Sequence, residues 1–176
     1  MTSRAGEPFD ADRAAAEVTG LLTAPVPATG PTAAEGDPAT GEWTVTVGEG
    51  FRIVPLWEGD PLGGVYAPEW NEAEEAAAGH LAVLARALDD RWGPHRAVRL
   101  HGPLMRWQGG GPVEPLFEAL FAEDLYGDLV VWGPVESGGR WIALALGHSD
   151  GDAPLVLAAL VSDRPVAEPE GGDGPL

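Results

Sequence analysis

The sequence predicts an α+β domain: a largely antiparallel sheet of five or six strands with two helices packed against it, in the order β-β-α-β-α-β-β-β. Three observations predict it. Apolar runs bounded by Gly and Pro recur on both sides of the chain's middle. One long stretch between them carries apolar residues at helical spacing. The last three apolar runs are joined by segments short enough for hairpins, whereas parallel crossovers need a dozen or more residues.

In the first strand pair, Trp43, Val45 and Val47 alternate with Thr44 and Thr46, Gly48 to Gly50 interrupts, and Phe51, Ile53 and Val54 resume. A glycine-containing break between two such runs signals a hairpin. The long helix takes Asn71 as its cap, with Glu74 three residues on as a variant capping box. Ala77, Leu81, Leu84 and Leu88 then form one apolar stripe. Gly93 followed by Pro94 ends it, a left-handed cap before a residue that cannot continue a helix. Arg96 to His101 alternates as a strand covered on one side by Val98 and Leu100, and Pro103 to Pro112 reads as a loop. A second helix spans Val113 to Ala122, presenting Leu116, Phe117 and Leu120. Asp128 to Trp132, Arg140 to Leu146 and Leu155 to Val161 complete the sheet. Leu129 to Trp132 and Ile142 to Leu146 are apolar on both faces, which places them in its interior.

This domain covers residues 43–164. Before it, Ala14, Ala15, Val18, Leu21 and Leu22 among Asp10, Asp12 and Glu17 suggest a short amphipathic helix. Pro25, Pro27, Gly30, Pro31, Gly36 and Pro38 then read as linker, so residues 1–42 are expected to be a flexible segment. Residues 165–176, rich in Pro and Gly, are expected to be a disordered tail that folding does not need.

Composition excludes several chemistries. The 176 residues hold 28 Asp and Glu against ten basic residues, all Arg, for a net charge of -18. Without Lys there is no Schiff-base or Walker-type lysine, and without Cys no thiol nucleophile, zinc-thiolate site or disulfide. The 44% hydrophobic content and seven Trp require a packed core. A pI near 4.3 argues against nucleic acid as a partner, since few cations are present to release counterions from phosphates. Met1 to Gly20 lacks the basic and apolar regions of a signal peptide, and the longest apolar run, Ala153 to Val161, is roughly half the ~20 residues of a membrane span. A cytoplasmic protein with no membrane partner is the expectation.

Candidate sites are few. His148, Asp150 and Asp152 alternate as metal ligands could. However, Asp150-Gly151 is a hairpin-turn dipeptide and no calcium-loop pattern follows, so a plain turn is the reading and neither metal nor cofactor is expected. None of the four serines stands in a G-x-S-x-G elbow. His95 and His101, at the two ends of one predicted strand, would stand ~20 Å apart, too far to share a metal. Asp89 and Asp90 lie in the last turn of the long helix, where the macrodipole disfavours carboxylates; Glu123 and Asp124 repeat the pattern after the second helix. Residues that cost local stability are candidates for partner contact. Trp57, Trp70 and Trp107, beside Pro- and Gly-rich segments, either clamp loops or stand out as binding anchors.

The run from Arg91-Trp92-Gly93-Pro94 through Asp128 to Trp132, Arg140-Trp141 and Ala153 to Val156 resembles small acidic bacterial proteins with the character of polymorphic-toxin immunity proteins. The resemblance spans at most residues 43–163. It implies a compact, Trp-rich α+β domain without catalytic groups, and it transfers no functional residue. The function expected is a non-catalytic protein-binding module, immunity or antitoxin-like, that presents acidic surface to a basic partner. The alternative is a small-molecule-binding or enzymatic domain with a pocket between helices and sheet near His148, Asp150 and Asp152.

Overall fold

A computed structural model describes residues 8–36, 43–59, 67–123, 125–135, 138–147 and 155–167, with only the backbone for residues 67–70. Seven strands, β1 (Ala33–Gly36), β2 (Trp43–Gly48), β3 (Phe51–Glu58), β4 (Arg96–Val98), β5 (Leu129–Val135), β6 (Arg140–Gly147) and β7 (Val156–Ser162), form one sheet. Its order is β1-β2-β3-β7-β6-β5-β4, and every neighbouring pair is antiparallel. Among the described residues four helices accompany it: α1 (Ala11–Gly20), α2 (Ala67–Trp92), α3 (His101–Gln108) and α4 (Pro115–Ala122). The α+β class, both expected hairpins at the C-terminal end, and the β2–β3 hairpin with Gly50 at φ +81° are therefore present.

Period-2 alternation splits the core in two. Leu144, Ile142, Leu157, Ala159 and Val161 pack on one face with Leu56, Trp57, α1 and α2. Ala143, Ala145, Ala158 and Leu160 face the other way, against Phe51 and Phe117, Leu120 and Phe121 of α4. Three alanines on this second face leave room for three phenylalanine rings close to the sheet, a large-against-small fit that close packing requires. The chain is thus three layers: helices, sheet, helices.

One strand, β1, and one helix, α3, exceed the sequence expectation, and the short helix expected ahead of the domain is α1. β1 has the sequence Ala-Ala-Glu-Gly, with no β-propensity of its own, and exists through its pairing with β2. Arg96 to His101 is a strand only as far as Val98, and α3 opens at His101, the end of the expected strand, and runs to Gln108 inside the expected loop. Pro103 is compatible with this because it sits in the first turn, where its missing N–H would have had no helical partner. Leu104 then donates to Leu100 O at 2.8 Å, and Gly110 at φ +84° follows the helix end. In α2, Asn71 is not the cap: the helix begins at Ala67, with Pro68 in the permissive first turn. The predicted stop is present, with Gly93 at φ +89° and its N–H on Asp89 O at 2.7 Å.

Residues 1–42 are not all linker. Asp10 caps α1 by accepting from Arg13 N, and Ala14, Val18 and Leu21 are buried in the first core. Arg140 of β6 donates to Leu21 O and Ala24 O at 3.0 and 2.8 Å and so fastens the turn that follows α1 to the sheet. Leu22, Ala24 and Val26 pack behind them, and Gly50 donates to Pro27 O. At the other end Val166 is buried in the second core, and its carbonyl accepts from Arg96, so packing continues past residue 164. Residues 168–176 lie outside the described structure.

Candidate functional site

The acidic pairs have different fates. Asp89 accepts from His95 N and Nδ1, both at 2.9 Å, and from the indole of buried Trp132 at 3.0 Å. Partial burial pushes its carboxyl upward, but the bonds from His95 and Trp132 together outweigh this and hold it below the ordinary 3.8. Asp89 is therefore a structural knot tying the end of α2 to β5, and its place in the unfavourable end of the dipole is offset by these donors. Asp90 is exposed, Glu123 is half-buried beyond α4, and Asp124 lies outside the described residues.

The aromatic candidates move inward. Trp57 is within β3, not a loop, and only 7% exposed. Its edge meets His80, which also stacks on Phe9 at 4.5 Å, and burial lowers the His80 pKa from 6.5. Trp107 is half-buried on α3 and packs on Phe121 at 5.4 Å. Neither is an exposed anchor. Trp70 lies on α2 with its side chain outside the described set, as do His148, Asp150 and Asp152. His95 and His101 are not the two ends of one strand, since β4 ends at Val98. Among the described residues, no three His, Asp or Glu side chains gather closely enough to hold a metal ion.

What the structure does assemble is a groove along α2. A cleft of about 540 Å³ lies between Glu74, Glu75 and Ala78 of the helix and Tyr126, Gly127, Leu146, Gly147 and Leu155 of the sheet side. A second, of about 370 Å³, continues from Ala78 past Leu81, Ala82, Ala85, Arg86 and Asp89, with Val130 and His95 opposite. The two meet at Ala78. From Glu74 to Asp89 the trough follows about four turns of helix, ~22 Å at 1.5 Å per residue.

A row of residues paired across the sheet explains the opening. Ala97, Val130, Leu144, Ala159 and Val54 are register partners and so point to the α2 side. Leu144 and Ala159 are buried beneath the helices, Val130 is half-buried, and Ala97 is exposed. On the opposite face the neighbouring row, Val131, Ala143, Leu160, Ile53 and Thr46, is buried across β5 to β2, and only its end members, Arg96 on β4 and Ala34 on β1, are exposed. Seven strands at ~4.8 Å spacing span about 29 Å, whereas two helices side by side cover about 20 Å. α1 packs on β3 and α2 on β5, β6 and β7, so the helices leave sheet beyond them at both edges, and the groove lies where the layer stops short of β4. Its small residues form a second stripe on α2, Ala78, Ala82 and Ala85, beside the leucine stripe; that spacing is the one sequence signal for it.

No protein-family model, curated protein or solved structure matches this chain. Among the described residues no helix is long and apolar enough to cross a membrane.

The Asp89 knot makes a prediction. Asp89→Ala is expected to lower stability by about 1–2 kcal/mol, because the variant takes the acceptor from two donors of His95 and leaves the Trp132 indole with Gly93 O alone. The folded-state pKa of Asp89 is depressed, so its contribution is complete above 3.8 and disappears as pH falls through the folded value. Denaturant melts at descending pH should show wild type and variant converging in that acid range. A constant gap down to the lowest pH would show that the carboxylate charge contributes nothing.

Proposed function

We propose that the protein is a non-catalytic, cytoplasmic protein-binding module, immunity or antitoxin-like, that presents acidic surface to a basic partner. The observation that carries this reading is an apolar-floored groove among the described residues that is lined at one end by Glu74 and Glu75 and at the other by Asp89, with exposed Asp90 next in the chain, on a protein of net charge -18. Carboxylates steer a cationic partner during encounter, and apolar surface supplies the desolvated contact once it has docked.

The test is capture by the full chain at low ionic strength, elution with salt, and mass analysis of proteins and small molecules together. A basic protein eluting reversibly supports the reading. Its association rate should fall at least about tenfold between roughly 10 mM and 500 mM salt, as the Debye length shrinks from ~30 Å to a few ångströms. Glu74→Gln, Glu75→Gln and Asp90→Asn combined should flatten that dependence while leaving the melting curve in place. A rate insensitive to both salt and substitution counts against recognition through charge.

A second reading has one observation in its favour. The larger cleft is bordered by Gly147 and Leu155, which flank the segment holding His148, Asp150 and Asp152. A small molecule seated between α2 and the sheet would lie beside Gly147 and Leu155, and recovery of a metabolite in place of a protein would favour this reading.

A further inference from the structure

The geometry points to a specific mode of binding: the groove between α2 and β5 takes one amphipathic, basic α-helix of the partner, which occupies a third place in the helix layer. This rests on the protein-binding reading and goes beyond it by naming the surface and the shape of what fits.

The dimensions carry the argument. The uncovered flank is about as wide as one helix: among the described residues α2 packs chiefly on β6, and beyond it remain β5 and β4, two strand spacings or about 10 Å, which is one helix-to-helix distance. Its wall is a stripe of alanines, with Ala78 and Ala82 exposed, and small side chains let a second helix approach to the 8–10 Å of ordinary helix packing. Its floor is Val130 and Leu146, both half-buried, with exposed Ala97 continuing the Val130 row to the edge. A helix lying along ~22 Å of trough would be about 15 residues long, with its apolar face inward.

Charge selects the occupant. Glu74 and Glu75 stand at one end, Asp90 at the other, and exposed Asp128 precedes β5, while Arg86 lies between them on the wall. Lys or Arg at both ends of the incoming helix, with an acid near its middle facing Arg86, matches this arrangement. A second copy is disfavoured because it brings another -18 to the same place. The chain's own last residues, 168–176, are also unsuited: they contain Glu168, Glu170 and Asp173 with no base, and Pro169, Gly171, Gly172, Gly174 and Pro175 oppose helix formation.

The experiment is calorimetry on the full chain with two synthetic peptides of equal positive charge. One is a Lys/Leu/Ala amphipathic helix of about 16 residues, and the other a Lys/Gly/Ser peptide that stays unstructured. The helical peptide should bind at least about tenfold more tightly at roughly 150 mM salt. Ala78→Glu and Ala82→Glu, at exposed positions where the fold tolerates a larger side chain, should each weaken it at least tenfold despite adding attractive charge, with melting unchanged. Glu118→Gln on α4, on the opposite face, should leave it as it is. Equal binding of both peptides, or tighter binding to the Ala→Glu variants, would overturn the groove and leave the acidic-module reading standing. Failure of both peptides to bind even at low salt would overturn both. A dimer of the chain in sedimentation, dissolved by Ala82→Glu, would overturn the proposal in favour of self-pairing.

Discussion

Leu84→Asp is expected to leave the protein unfolded. Leu84 is fully buried in the first core, between the α2 backbone and the sheet, and the described residues around it are apolar. A carboxylate there either keeps its charge without a partner or takes up a proton, and in both cases loses the leucine's packing. The cost is on the order of 5 kcal/mol, against a total stability of about 5–15 kcal/mol for a domain of this size. Circular dichroism and denaturant titration would show the loss of a cooperative transition. Leu84→Met, close in volume, should retain it at a cost of about 1 kcal/mol. A wild-type melting curve for the Asp variant would mean that this face of α2 is not inserted in the core.

The second large effect is removal of residues 1–24. From composition alone the N-terminal 42 residues should be dispensable; the packing gives the opposite expectation. The truncation removes Val18 and Leu21 from the core and strips cover from Leu56 and Trp57. It also takes away Phe9, which stacks on His80, and two carbonyls that hold Arg140. At about 1.5–3 kcal/mol per large buried side chain, the loss is on the order of 5 kcal/mol. The shortened chain should bind a hydrophobic dye and be cut rapidly by protease, where the full chain resists. A truncated protein with an unchanged denaturation midpoint would restore the linker interpretation of this segment.

The two predictions differ in how far they could be read without coordinates. Leu84 belongs to a stripe at 3.6-residue spacing, and spacing is local; the strands from Leu129, Arg140 and Val156 were legible for the same reason, as was the stop at Gly93 and Pro94. Docking of α1 depends on Arg140, more than a hundred residues away, and nothing local to Leu21 announces it. β1 is invisible because Ala-Ala-Glu-Gly becomes a strand only through its neighbour. α3 was masked by Pro103, a breaker in general but harmless in a first turn. Asp89 was recognisable as a misplaced charge on a helix end, yet the reason for its place is Trp132, brought near by the sheet. The groove was the least legible feature, because it arises from the ratio of sheet width to helix-layer width, which no single segment encodes.

β7 is the last strand among the described residues and lies in the middle of the sheet, between β3 and β6. Its pairing with β3 joins Phe51 to Ser162 and Glu58 to Val156, so the two halves cannot be sewn together until the chain as far as Ser162 is available. Distant pairings of this kind place folding toward the slow end, in milliseconds to seconds. Throughout that interval β3 and β6 offer unpaired apolar edges to any other nascent chain, the condition under which strands misassociate. Strong like charge on every copy keeps such intermediates apart. The same carboxylates that would draw in a cationic partner thus also protect the molecule before it has a finished surface to present.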